Sequence, residues 1–178
     1  MSQTTTPSQL TVPATIEDFM AQAIAMEFEA VERYQQLADT METHNNSEVA
    51  ELFRKMSVIE NKHAEQMLAE MGWSEIPPGT RAQPWEGFDS PEMVSMDDIH
   101  YLMTPWHALQ LALKAEQRAV RFFDALAEAA QTDAVRKAAL ELLEEEREHV
   151  DLIHSWLKKV PKPDADWYED PDPPRYEG

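Results

Sequence analysis

The chain has 178 residues, a length typical of one domain, and carries 34 acidic against 15 basic side chains, a formal net charge of −19. This charge repels nucleic acids and anionic membrane surfaces, and the lack of cysteine excludes disulfides, thiolate metal sites and iron–sulfur clusters. No apolar run is long enough to span a bilayer, and residues 1–13 lack the basic start and apolar centre of an export signal. We therefore expect a soluble, cytoplasmic protein that binds neither nucleic acid nor membrane, and in which nitrogen and oxygen atoms ligate any metal.

Two long helices are predicted in the first half of the chain. Thr15 can cap the first helix, and apolar residues then recur every three or four positions through residue 42. The turn at 44–47 separates it from a second helix that runs to Gly72, a residue suited to a left-handed C-terminal cap. The first half is therefore predicted to form a helical hairpin.

A second hairpin is predicted after a long, proline-interrupted connection. Between Trp73 and Thr104 only a short helix is expected, starting either at Ser90-Pro91 or at Ser95 to Asp98. Thr104 and Pro105 are typical of the cap and first residue of a third helix, and Thr132 can cap a fourth. A connection of this length can return along a bundle about 40 Å long, so we expect helices two and three to be parallel.

The chain is thus predicted to have three parts. They are a flexible N-terminus at 1–14, a four-helix bundle at 15–160 with its crossover at 73–104, and a proline-rich acidic tail at 161–178. The tail cannot bury enough surface to offset its ordering entropy, so we expect it to be mobile. Alternatively, its aromatic residues Trp167, Tyr168 and Tyr176 anchor it to the bundle or to a partner.

Glutamate and histidine three positions apart lie on one face of a helix, where both can bind the same ion. This pair occurs once on the second helix and once on the fourth. One further glutamate on each of the other helices lies at the same level as its hairpin partner, about 20–25 Å from the turn. The six residues are Glu27, Glu60, His63, Glu116, Glu146 and His149. Such a set is what a helical bundle needs to hold two iron or manganese ions.

The alternative is that these carboxylates are solvated surface charges. Apolar residues three or four positions from Glu27 and Glu116, such as Ile24, Val31 and Leu113, place both glutamates on or beside the core face. This pattern favours the metal site.

Other glutamates crowd the same stretches of helix. We expect Glu29, Glu32, Glu145 and Glu148 to be solvent-facing, although Glu145 or Glu148 could replace a ligand if the fourth helix were rotated.

The paired segments AMEFEAVERY and IENKHAEQML, then AEQRAVRFF and EEEREHVDLI, resemble the rubrerythrin branch of the ferritin-like di-iron proteins. The resemblance covers about Thr15 to Val160. It implies an all-α, ferritin-like four-helix bundle of two hairpins joined by a long crossover. It also implies that the six residues above bind two iron ions, with Glu60 and Glu146 as bridges, and that Tyr34 is the family's tyrosine beside the ligands.

Two departures from the rubrerythrin pattern bear on function. Rubrerythrins carry a further ligand glutamate three residues after the third-helix glutamate, where this chain has Ala119. They also usually carry a cysteine-ligated rubredoxin domain, which a chain without cysteine cannot form. Electrons must therefore come from an external donor or from ferrous iron itself.

The resemblance implies a non-haem di-iron oxidoreductase that reacts with hydrogen peroxide or oxygen, in a homodimer or higher homo-oligomer. The first alternative is a ferroxidase, which uses ferrous ion as its substrate. The second is a structural or adaptor protein whose helical bundle uses no metal.

Overall fold

Four long helices make up most of the computed structural model, which describes residues 11–80 and 93–172. The helices are α1 (Ile16–Thr43), α2 (Ser47–Glu70), α3 (Pro105–Ala129) and α4 (Asp133–Leu157). A short 3-10 helix, Met96–Asp98, precedes α3, and no strand occurs in the described ranges. Parts of the predicted N-terminus, crossover and tail, including Tyr176, lie outside them. In the ranges described, no helix is long and apolar enough to cross a bilayer.

The helices begin where the sequence predicts, whereas α4 ends at Leu157, three residues before the end of the predicted helical segment. The side-chain oxygens of Thr15, Asn46 and Thr132 each accept a hydrogen bond from the backbone N–H three residues further on. These bonds satisfy donors that the first turn of a helix leaves free. Gly72, two residues after the end of α2, has φ +68°, a left-handed conformation that costs glycine little.

Two apolar clusters, one at each end of the bundle, show the direction of the helices. The first cluster contains Leu37 near the end of α1, Phe53 early in α2 and Leu109 early in α3. The second cluster contains Ile24 early in α1, Leu68 late in α2 and Phe123 late in α3. Helices α2 and α3 therefore start at the same end and run parallel, as predicted, and the crossover returns along the bundle.

Two hydrogen bonds attach the end of the crossover to α1 and α3. Arg33 on α1 donates a hydrogen bond to the backbone carbonyl oxygen of Val94 at 2.8 Å, and Arg118 on α3 donates one to that of Met93 at 2.8 Å. Val94 is buried and joins the first cluster. This segment therefore covers the side of the bundle formed by α1 and α3.

The described part of the tail, residues 161–172, contacts the bundle rather than extending away from it. The Trp167 ring lies 3.9 Å, centroid to centroid, from His107 and 5.1 Å from His100, and it packs on the first cluster. The Tyr101 hydroxyl donates a hydrogen bond to Asp170 at 2.9 Å. For these residues the anchoring alternative holds, because an aromatic side chain gains apolar contact that the acidic composition alone does not reveal.

Candidate metal centre

A polar layer lies between the two apolar clusters, at the middle of the bundle. It contains the six residues that the sequence predicts as metal ligands: Glu27, Glu60, His63, Glu116, Glu146 and His149. The four glutamates are at most 2% exposed, and the His149 side chain, at 15%, is the most exposed of the six. The predicted alternative of solvated surface charges therefore does not fit their positions.

On one side of this layer, His63 links α2 to α1. Its Nδ1 lies 3.0 Å from Oε1 of Glu27. Its ring packs edge-on against the ring of His149, with centroids 5.4 Å apart. The two imidazoles, from α2 and α4, therefore meet across the bundle.

On the other side, His149 faces three carboxylates. Its Nδ1 lies 3.5 Å from Glu116, 3.6 Å from Glu146 and 3.9 Å from Glu60. These distances bring together residues from α2, α3 and α4 around one imidazole nitrogen.

Three overlapping triplets of side chains could each hold a metal ion, because their ligand atoms all lie within 4.8 Å of one another. The triplets are Glu60, His63 and His149; Glu27, His63 and Glu146; and Glu116, Glu146 and His149. Together they use all six residues. Overlapping triplets of carboxylate and imidazole ligands are compatible with two divalent ions that share ligands.

Burial makes ionised carboxylates costly in this layer. It raises the pKa of Glu27 well above its ordinary value, and the charges of Glu146 and Glu60 raise it further. Burial likewise raises the pKa of Glu60 and of Glu116 to about 7, with neighbouring glutamate charges adding to the effect. Carboxylates in this position hold protons unless positive charge is supplied.

The pKa values of the two histidines are also raised, but here burial lowers the pKa and the neighbouring carboxylates raise it. Burial alone would lower the pKa of His149, but the carboxylates of Glu116 and Glu146, together with Glu60, raise it to about 12. Burial also opposes the charged form of His63, yet contact with Glu145 leaves its pKa raised. In the absence of metal, protonated imidazoles thus supply part of the positive charge that the glutamates require.

Protein groups alone do not satisfy the carboxylate oxygens. Within the described residues, no well-aligned hydrogen bond reaches either oxygen of Glu27, Glu60 or Glu146. Buried polar atoms without such partners cost free energy. Divalent cations bound between these oxygens and the imidazoles would satisfy them and balance their charge, so the residues present fit a metal centre.

Glu145 was predicted to face solvent, but in the structure it contacts the metal-centre residues. Its half-exposed carboxylate is hydrogen-bonded to Nε2 of His63, and this contact lowers the pKa of Glu145. The bond leaves Nδ1 of His63 facing Glu27. A sequence signal existed, since Glu145 directly precedes Glu146 and lies one turn before His149, but only tertiary packing shows that it reaches α2.

The resemblance to rubrerythrins also draws attention to Tyr34 and Ala119. Tyr34 is buried in the first apolar cluster, with its ring centroid 6.1 Å from that of Phe53. Its proposed role beside the ligands stays a prediction. Ala119, at the place of the additional rubrerythrin glutamate, is fully buried on α3.

The fold and the buried carboxylate layer define a ferritin-like four-helix bundle, and similar solved structures show the same class. A structure of bacterioferritin from Rhodobacter capsulatus matches with a TM-score of 0.52 and 17% identity, covering 84% of this chain and 88% of the other. That structure is described as having a metal-free dinuclear site and haem iron. At this identity the match shows the fold alone.

Sequence comparison identifies the family within this class. A family model described as Rubrerythrin matches residues 18–97. An uncharacterized conserved protein from Magnetospirillum magnetotacticum MS-1 is 34% identical, with a TM-score of 0.62, over 84% of this chain and 98% of its own. No functionally curated protein matches significantly. The chain belongs to the rubrerythrin family of the ferritin-like di-iron superfamily.

Proposed function

We propose that this protein is a non-haem di-iron oxidoreductase that reacts with hydrogen peroxide or oxygen and takes its electrons from an external donor. The observation that carries the proposal is the convergence of four glutamates and two histidines, all largely buried, with carboxylate oxygens that lack well-aligned hydrogen bonds within the described chain. Membership of a di-iron family supports iron over manganese.

In this proposal Glu27, Glu60, His63, Glu116, Glu146 and His149 hold two iron ions. Bound iron would supply the reversible redox chemistry that reaction with peroxide or oxygen requires. The four carboxylates offset the charge of two divalent ions, and the two imidazoles each contribute a nitrogen ligand.

The surrounding residues keep the site dry and ordered. The two apolar clusters close both ends of the polar layer and exclude bulk water. Glu145 accepts a hydrogen bond from Nε2 of His63, which keeps Nδ1 directed at Glu27. Protons held by Glu60 and Glu116 in the metal-free state leave when these carboxylates bind cations.

The first test measures metal per chain after expression in iron-supplemented cells and after anaerobic reconstitution with ferrous ion. We expect about two iron ions per chain, and near-ultraviolet absorption from the oxidised pair. Less than about one ion per chain, with no response to added ferrous ion, would contradict the proposal and favour the structural or adaptor alternative.

The second test removes single proposed ligands. We expect Glu60→Ala and Glu146→Ala each to abolish stable iron binding, because each leaves a buried gap in the ligand set. Glu144→Ala is the matched control, since Glu144 lies on α4 beside Glu145 but is exposed and paired with Arg147. Unchanged iron content in both ligand variants would show that the site lies elsewhere.

The third test separates the oxidoreductase from a ferroxidase. Reduced, iron-loaded protein is mixed with hydrogen peroxide or oxygen, and iron oxidised per chain is compared with oxidant consumed. A centre that is reduced and reoxidised repeatedly without taking up more iron supports our proposal. Oxidation of many ferrous ions per chain would identify a ferroxidase instead.

A further inference from the structure

The exposed fraction of the side chains decreases from Glu145, through the two histidines, to the buried glutamates of the metal centre. The Glu145 side chain is 40% exposed, and the His63 and His149 side chains are 7% and 15% exposed. The carboxylates behind them, Glu60 and Glu116, are at most 2% exposed. The polar layer is therefore closest to solvent where α2 and α4 meet.

Both ends of the layer, and its side between α1 and α3, are covered by described residues. Apolar clusters close both ends of the bundle. The end of the crossover, at Met93 and Val94, lies over α1 and α3 and accepts hydrogen bonds from the guanidinium groups of Arg33 and Arg118.

We propose that Glu145 is the residue through which divalent metal enters the centre, taking the cation from solvent and passing it between His63 and His149 to the buried carboxylates. This inference rests on the proposed function, because it assumes that the six buried residues bind metal. According to this inference, Glu145 affects the rate at which divalent metal binds, in addition to its hydrogen bond with His63.

The chemistry of uptake is ligand exchange without oxidation or reduction. Glu145 gives up its hydrogen bond with Nε2 of His63 to receive the cation, and the bond forms again once the cation has passed. The net charge of −19 concentrates cations near the protein, and a partly desolvated carboxylate binds them more strongly than an exposed one.

The test measures binding of Co²⁺ to the metal-free, full-length protein by stopped-flow absorption, with Co²⁺ as a redox-stable probe. Glu145→Gln removes the charge but keeps an oxygen that can accept the hydrogen bond from His63, so it separates uptake from positioning. We expect its association rate constant to fall about tenfold, with an unchanged final number of Co²⁺ ions per chain.

Two further variants sharpen the comparison. Glu145→Asp keeps the charge and should load faster than Glu145→Gln. Glu144→Gln makes the same charge change one residue away, at a side chain paired with Arg147, and should load at the wild-type rate.

Each other result would overturn the inference. Equal association rates in wild type and Glu145→Gln, or equal slowing in Glu144→Gln, would show that Glu145 has no special part in uptake. Faster dissociation with normal association would show that Glu145 only positions His63. If the wild type itself binds no Co²⁺, both the proposed metal site and this inference fail. The wild-type measurement alone therefore distinguishes failure of the metal site from failure of the uptake role of Glu145.

Discussion

At the scale of single residues, the main feature is the concentration of ionisable groups in a layer that water barely reaches. Glu60 and Glu116 are tolerated there because they can hold protons, and His149 because three carboxylates surround it. A protein selected only for stability would place apolar side chains at these positions, since buried ion pairs seldom repay their desolvation. The layer therefore indicates a binding function.

These pKa shifts predict how the metal-free protein responds to pH. Glu60 and Glu116 have a folded-state pKa of about 7, above the ordinary 4.5, so the stability they contribute at low pH is lost as pH rises through 7. The raised pKa of His149 acts in the same direction. The lowered pKa of Glu145 matters only below about 4.5, outside this window.

We therefore expect the urea midpoint of chelator-treated protein to be lower at pH 8 than at pH 6. In Glu60→Gln this difference should shrink, because one of the titrating groups is gone. A midpoint that is equal or higher at pH 8 would contradict the prediction. Metal-loaded protein should show the opposite trend, because protons compete with metal for the same ligands.

At the scale of elements, short polar contacts determine where the helices begin and how the crossover returns. Asn46 has two roles: Oδ1 caps α2, and Nδ2 donates hydrogen bonds to the backbone oxygens of Met103 at 2.7 Å and Tyr101 at 3.2 Å. One side chain thus joins the turn between α1 and α2 to the segment before α3. This contact therefore holds the two hairpins together at the end of the bundle that contains the first apolar cluster.

Asn46→Ala should therefore lower the free energy of unfolding by more than the loss of an ordinary helix cap does. We expect a loss of about 2 kcal/mol in the free energy of unfolding, from the cap and from the carbonyl oxygens left without their donor. Thr43→Ala is the control, because the Thr43 hydroxyl bonds only to the backbone oxygen of Asp39 one turn earlier. Its cost should stay within about 0.5 kcal/mol in the same urea titration.

At the scale of the whole molecule, the described part of the tail completes the first apolar cluster. Trp167 packs on His107 at the start of α3, and Asp170 accepts the hydrogen bond from Tyr101 in the crossover. The tail thus braces the end of the bundle where the crossover meets α3.

Trp167→Ala should loosen the tail and destabilise the bundle modestly. We expect a loss of about 1–2 kcal/mol, below the cost for a fully buried tryptophan, because Trp167 is only partly buried. Tryptic cleavage after Lys159, where the chain leaves α4 for the tail, should become faster in the same variant. Tyr168→Ala, at a side chain 56% exposed, should change neither result. Equal protection of the bond after Lys159 in wild type and Trp167→Ala would argue against anchoring.

The amino-acid sequence by itself determined the helices, their caps, the parallel course of α2 and α3, and the six residues that meet in the polar layer. These features depend on periodicity, capping residues and connection length, which are local properties of the chain. Only the tertiary structure decided that Glu145 reaches His63, that Arg33 and Arg118 fasten the crossover, and that Trp167 docks on His107. Each of these contacts joins residues distant in sequence, so its formation depends on how the helices pack, which no local pattern encodes.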